Sequence, residues 1–395
     1  MMPITPHLSC TEPLDEFASL SYHHTNHAKA YVSGLIAASN KTIEGIANHV
    51  MPSGSERALN KFLGEYDWDD EELNLERLEE LQRHGETRWS RKGYVVIDDS
   101  FTEKTGEQIP NVGRFYDHAE GDYIWGQNLV YTFYTDHKTG YPVGFRLYEK
   151  GAETKIELAK ELVQEAEEDA DCPARTYLFD SWYCAQELIE EIESYGKDWI
   201  SVLKSNRKVE FANKEWRIDE LHEEVELTDR EVDGEQYRVW SKKLPVSKLG
   251  EKRVMIVEKV TEEADEENPV KYLVTNEIDA PSPHLIRSYG YRWRIETFFE
   301  DSKQDLGFAD CEAQRSTSAR RHWQLVMLAY SLARLAPARS ADDSIRTRAT
   351  SLKTEWEYSL KESIFNFVSW VREQSDRTIS EIMAEFDDLF KNVRS

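Results

Sequence analysis

Cysteine is scarce in this chain. Cys10, Cys172, Cys184 and Cys311 are the four present, and no two form a Cys-x-x-Cys pair. That argues against a zinc ribbon or a disulfide framework, and reduced structural thiols are expected instead. Positive charge is also short: 49 Lys and Arg stand against 75 Asp and Glu, a net charge of −26. No apolar run is long enough to span a bilayer. The opening MMPITPHLSCTEPLDEF lacks the basic start and apolar stretch of a signal peptide. No membrane association is expected, and residence in the cytoplasm follows. Internal repeats and low-complexity tracts are missing too.

What remains is a globular composition, 39% hydrophobic and 31% charged over 395 residues, enough for two or three domains. The acidic surplus taken alone argues against a nucleic-acid partner, whose binding surface should be basic. The acids are dispersed rather than gathered in one tail, as in proteins of salt-accumulating cells. At molar salt the Debye length falls to about 3 Å. Dispersed acids then repel a phosphate backbone weakly, and local basic clusters can still bind it.

Residues 1–90 read as a helical N-terminal domain suited to DNA binding. Tyr31, Leu35, Ile43, Ile46, Ala47 and Val50 recur at helical spacing over 28–50. Further helices are expected at 56–63 and 71–84. A helix-turn-helix around Pro52-Ser53-Gly54 and a plain helical bundle both fit. The pattern changes at Gly93. Tyr94-Val95-Val96-Ile97 is a short buried strand running into two aspartates. Strands at 129–135 and 142–148 follow, joined by the turn Asp136-His137-Lys138-Thr139-Gly140. Then come a helix at 153–169, a strand at Thr176–Phe179 ending on Asp180, a helix at 183–195 and a strand at 199–203. Three antiparallel strands, helix, strand, helix, strand is the order of a ribonuclease-H-like fold. Residues 91–204 are its first part. Residues 205–277, with β-prone runs at Tyr237–Trp240, Val254–Val257 and Tyr272–Val274, read as an inserted β domain. Residues 278–336 are the second part of the core, with a long helix from Pro283. Residues 337–395 hold a linker and C-terminal helices with Trp356, Leu360, Ile364, Phe367 and Val371 on one face. The expected fold class is α/β: a ribonuclease-H-like catalytic core interrupted by a β-rich insertion, between an N-terminal helical domain and C-terminal helices.

Aspartates at the ends of adjacent strands suit hard divalent cations, which take oxygen ligands and bind phosphates. Two such ions about 3.5–4 Å apart activate an attacking oxygen and stabilise a leaving one in phosphoryl transfer. A carboxylate from a helix completes the set. Tyr289, Arg292, Glu296 and Lys303 have the spacing Y-x2-R-x3-E-x6-K. At about 100° per residue on one continuous helix they share an arc of about 60°. Ile295, Phe299 and Leu306 form an apolar stripe beside them. Such a face is suited to gripping phosphates beside a metal site.

Three passages carry a resemblance: VVIDDSFTEKTG at 95–106, YLFDSWY at 177–183 and YGYRWRIETFFEDSKQDLG at 289–307. Over about residues 25–335 the chain resembles insertion-sequence transposases of the DDE superfamily, in the branch with a Y-R-E-K signature and an inserted β domain. The resemblance implies an enzyme that binds, cleaves and transfers element ends by two-metal phosphoryl transfer. It implies Asp98, Asp180 and Glu296 as catalytic metal ligands for two Mg²⁺ (or Mn²⁺) ions. Tyr289, Arg292 and Lys303 would contact the DNA end. The partners implied are double-stranded DNA, both inverted-repeat ends and target, and a second copy in a DNA-bound homodimer. Other readings are a ribonuclease-H-like nuclease without strand transfer and an inactive, transposase-derived DNA-binding protein.

Asp98 and Asp99 are neighbours that a strand points to opposite faces. The family's D-x-S/T pattern, met by Asp98-Asp99-Ser100, favours Asp98. Lys204, Arg207 and Lys208, in a cluster with Lys214 and Arg217, are expected DNA contacts, as are Arg315, Arg320 and Arg321. His118 reads as a DNA contact or a loop cap. Trp216 and Trp240 read as core residues, with base stacking the alternative. His23, His24 and His27 lack an acidic or Cys partner for a metal site, and Glu262 to Glu267 reads as a solvated face.

Overall fold

The computed structural model describes residues 7–50, 54–106, 108–117, 121–260 and 270–339, with isolated positions between 361 and 381. His118, the acidic stretch 262–267, Pro52, Ser53 and nearly all of the expected C-terminal helices lie outside the described residues. In chain order come α1 (Tyr22–Ala37), α2 (Ile43–His49), α3 (Glu56–Gly64) and α4 (Asp70–Gln82). Next are β1 (Tyr94–Glu103), β2 (Gly113–Asp117), β3 (Asp122–Thr135), β4 (Gly140–Tyr148), α5 (Lys155–Gln164), β5 (Thr176–Phe179), α6 (Gln186–Ser194) and β6 (Asp198–Val202). They are followed by β7 (Lys208–Phe211), β8 (Lys214–Arg217), α7 (Ile218–Glu224), β9 (Thr228–Val232), β10 (Glu235–Val246), β11 (Gly250–Lys259) and β12 (Val270–Thr275). The last are α8 (Ser282–Gly290), α9 (Trp293–Asp305) and α10 (Ser316–Arg339).

Side-chain caps start many of the helices. Ser21, Thr42, Ser55 and Asp69 each accept a backbone N–H of the helix that follows, and Thr154 with Glu157 forms a capping box on α5. The Thr42 cap explains why 28–50 is two helices rather than one. The backbone leaves α1 after Ala37, and α2 restarts at Ile43.

The chain divides into two compact units. Met1–Arg88, Phe101–Asn128 and Phe298–Ser395 make the first. Its centre is α10, where Trp323, Leu325, Val326, Met327, Leu328 and Ala329 are completely buried, and α1, α3 and α4 pack on it. Some of the polar groups inside are matched. Arg77 donates from Nη1 to Ser331 Oγ at 2.7 Å and from Nη2 to Asn74 Oδ1 at 2.7 Å. The fully buried His322 faces the Gly307 carbonyl through Nε2 at 3.1 Å and Tyr31 Oη through Nδ1 at 2.9 Å. A carbonyl only accepts, so the proton sits on Nε2 and the tyrosine donates to Nδ1. Gly307 ends α9 in the left-handed region, φ +67°, where a Cβ would meet Lys41 Cβ at 2.6 Å.

Trp89–Ser100 and Leu129–Thr297 make the second unit. Its sheet runs β4-β3-β1-β5-β6-β12-β11-β10, with β9 also on β10 and β7-β8 beyond. Strands β1, β5 and β6 are parallel, each βα step returning through a helix, α5 or α6. Their Val95, Val96, Ile97, Tyr177, Leu178, Phe179, Trp199 and Ile200 side chains are completely buried, as expected for strands covered on both faces. The fold is the expected α/β class, a ribonuclease-H-like core with a β-rich insertion. The inserted strands do not form a separate sheet. Strand β12 pairs antiparallel with β6, Val274 opposite Ser201, so the insertion extends the core sheet edge to edge.

Candidate functional site

Asp98 and Asp180 come together because β1 and β5 are parallel and in register. Ile97 lies opposite Phe179, the last pair of the β1–β5 ladder, so Asp98 and Asp180 follow it at the same end of the ladder. Strand β1 does not end there as expected but runs on to Glu103, so Asp98 lies within the strand and Asp180 just past the end of β5. The carboxyl ends of parallel strands are where open α/β sheets hold ligands. Asp180 Oδ1 accepts the N–H of Trp182 at 2.8 Å and of Tyr183 at 3.2 Å, and its carbonyl accepts Ser201 Oγ–H at 3.0 Å. Asp98 Oδ1 accepts the Asp99 N–H at 2.9 Å, and Oδ2 accepts Arg292 Nη1–H at 2.6 Å. The other guanidinium nitrogen, Nη2, donates to Glu296 Oε1. Arg292 thus links the strand carboxylate to the helix carboxylate.

The single helix expected across Tyr289 to Lys303 is broken. Helix α8 stops at Gly290, Tyr291-Arg292 form a turn, and α9 begins at Trp293. The shared arc computed for one continuous helix therefore does not apply to Tyr289. The break nevertheless aims Tyr289 and Arg292 inward. Tyr289 is 7% exposed. Burial pushes its phenol well above the usual range, Arg292 beside it opposes, and Asp180 and Asp98 add to the rise. Lys271 Nζ lies 5.6 Å from the Tyr289 ring centroid. Lys303 is exposed near the end of α9.

Burial also pushes the Asp98 carboxyl up to about 7; Arg292 pulls it down, and the nearby Asp99 and Asp180 push it up. Carboxylates crowding one buried acid are a donor set for a hard cation. Asp98, Asp180 and Glu296 are carboxylates, the donor type a hard divalent ion takes. As they stand, with Arg292 between Asp98 and Glu296, no three or more His, Cys, Asp or Glu among the described residues are grouped so that they could hold a metal ion. The positive charge at Asp98 and Glu296 is the Arg292 guanidinium.

Asp99 belongs to a different set of contacts. Its Oδ2 accepts Lys155 Nζ–H at 2.7 Å, and its Oδ1 accepts the hydroxyl of the completely buried Tyr183 at 2.9 Å. The two neighbours are thus separated as strand geometry requires, Asp98 toward Arg292 and Asp99 toward Lys155.

The other expected DNA contacts are scattered. Lys204 is exposed just beyond β6. Arg207 donates to the Cys184 carbonyl at 2.8 Å, and Lys208 pairs with Glu215 at 2.6 Å. In the first unit, Arg315 pairs with Glu65 at 3.4 Å and Arg320 with Asp70 at 2.8 Å. Arg321 is a correction. It is 7% exposed, lies over the Trp68 ring at 4.3 Å and donates to the carbonyls of Phe62, Leu63, Tyr66 and Trp68. A guanidinium committed to four carbonyls is a structural cation, not a phosphate contact. In the inserted strands Trp216 and Trp240 are half-buried. Trp216 donates to Phe211 O at 3.3 Å, and Trp240 meets the Phe211 ring edge-on at 5.6 Å. His24 and His27 pack against Phe62 and Tyr66.

The sequence reading passed over Lys155 and Trp182. The signals were Trp182 two residues beyond an aspartate at a strand end, and a lysine opening the helix after β4. Trp182 is 44% exposed and Trp293, at the start of α9, is 64% exposed, whereas Trp199 and Trp323 are completely buried.

Comparison with known proteins bears on the same region. The family model described as transposase DDE domain matches residues 89–332, and that described as DDE superfamily endonuclease matches residues 17–153. No curated protein sequence matches the chain. A cryo-EM structure of the piggyBac transposase synaptic complex with hairpin DNA aligns with 98% of this chain and 81% of its own, at 12% identity and a TM-score of 0.49. The first match takes in both aspartates, the glutamate and the whole sheet of the second unit, and the chain belongs to the family of DDE transposase domains.

Proposed function

We propose that this chain is a DNA transposase that binds the inverted-repeat ends of an insertion sequence, cuts them and joins their 3′-hydroxyls to target DNA. The observation that carries the reading is the register of β1 on β5. It puts Asp98 and Asp180 next to the last pair of the β1–β5 ladder, with Glu296 tied to Asp98 through Arg292. Asp98, Asp180 and Glu296 would hold Mg²⁺ or Mn²⁺, two ions in the fullest reading, which would activate the attacking oxygen and stabilise the leaving one. Around them the protein positions. Arg292 is two-pronged and can hand one prong from a carboxylate to a phosphate oxygen. Tyr289 lends a buried hydroxyl beside it. Lys303, Lys204, Lys208, Arg315 and Arg320 are the cations with exposed charge for the flanking DNA. Two ends need two active sites, so the working form is a homodimer on DNA. A cytoplasmic, salt-adapted enzyme of the Y-R-E-K branch fits the acidic composition.

The test is cleavage of a DNA end by the full chain in Mg²⁺ and in Mn²⁺. Asp98→Asn, Asp180→Ala and Glu296→Ala should each abolish cutting and leave end binding largely intact. Asp99→Asn should retain far more activity than Asp98→Asn. Near wild-type cutting by Glu296→Ala would sink the assignment. Joined products separate a transposase from a nuclease that only hydrolyses.

A further inference from the structure

Resting on that reading, we infer that Trp182 is a base-stacking site, taking the nucleobase next to the phosphate that reacts at Asp98 and Asp180. A large aromatic usually contributes by burying its ring. Trp182 leaves 44% of its surface exposed, and a lysine and a tyrosine ring lie against it. Lys155 Nζ lies 5.2 Å from its ring centroid, close enough for a cation–π contact, while also donating to Asp99. The Tyr183 ring meets it edge-on at 4.9 Å.

The main chain that carries the ring is anchored close to the chemistry. The Trp182 backbone N–H donates to Asp180 Oδ1 at 2.8 Å, which holds the main chain that carries the indole beside the proposed metal ligand two residues before it. Tyr183 is buried, and its hydroxyl is bound to Asp99. A flat apolar face among charges, beside groups suited to a phosphate, matches a nucleotide, which offers a π-face and a charged phosphate a few ångströms apart. Stacking reads no sequence, since every base has a π-face. Trp182 would therefore set the distance from base to scissile phosphate and not the choice of site.

The experiment uses the full chain in EDTA, which keeps the DNA uncut. The probe is a short duplex copied from the inverted repeat beside the gene, with 2-aminopurine as the terminal base. Wild type should quench the probe's emission. Trp182→Phe should retain most of the quenching. Trp182→Leu should bind with the base unquenched and, once Mg²⁺ is added, show KM raised roughly ten- to hundredfold, the effect of one lost stacking contact. Quenching by Trp182→Leu equal to wild type overturns the inference while leaving the transposase reading intact. A wild type that does not bind the duplex overturns both. A second measurement needs no variant: 5-iodouracil at the terminal position should photocrosslink wild type at Trp182, and a crosslink confined to other residues overturns the inference.

Discussion

Arg292 is where the competing roles of a single side chain are sharpest. It is held between Asp98 and Glu296 with only 14% of its side chain exposed. One role is structural, keeping two carboxylates together. The other is catalytic, steadying a phosphate beside them. A lysine has one nitrogen and cannot span both partners as a guanidinium fork does. Arg292→Lys should therefore already impair cutting, and Arg292→Ala should lower the rate by on the order of a hundredfold, as for loss of one aimed donor. A purely structural role, in a pair this buried, would cost about 3 kcal/mol of stability on loss of the arginine and no activity of the folded protein. Melting temperature and cleavage rate measured on the same Arg292→Ala preparation decide, and unchanged cleavage leaves only the structural role.

Elements were legible in the sequence wherever one local pattern carried them. Tyr177-Leu178-Phe179 before Asp180 and the start of β1, Val95-Val96-Ile97, read correctly because buried parallel strands are continuous apolar runs, whereas the polar half of β1 from Asp98 to Glu103 carries no such run. The break between α8 and α9 was missed although Gly290 marks it, since a lone glycine in a helical pattern is ambiguous. Helix α7 was absorbed into the β insertion, and the pairing of β12 with β6 left no local trace, because alternation is the same whichever sheet a strand joins. Arg321 was misread for a related reason: sequence shows a charge, not whether carbonyls surround it. Packing of α10 on α1 yields a prediction of its own. Burial holds the His322 imidazole at about 4, below its ordinary 6.5, with Lys104 adding to the fall and the Gly307 carbonyl opposing it. The unfolded chain then binds more protons than the folded one between those values. Stability is complete above about pH 6.5 and is lost as pH falls toward 4, by up to about 3 kcal/mol. His322→Gln removes this titration, so its melting deficit against wild type should shrink from pH 7 to pH 4.5. A deficit that is constant with pH would show that His322 does not carry the effect.

The whole molecule carries a net charge of −26, spread over both units. Self-repulsion of that size opposes the compact state and is screened by salt. The melting midpoint should rise from low to multi-molar KCl; a flat or falling midpoint would require another origin for the acidity. Connectivity has an effect of its own. Each unit is assembled from separated stretches of chain, the first from Met1–Arg88, Phe101–Asn128 and Phe298–Ser395. During synthesis, α1, α3 and α4 emerge early, yet the helix they pack on, α10, ends at Arg339. The second unit acquires Glu296 only as its last turn leaves the ribosome. A nascent chain that stops before α9 therefore has neither α10 nor Glu296. On the proposed function, the order of translation withholds the third carboxylate until α9 has been made.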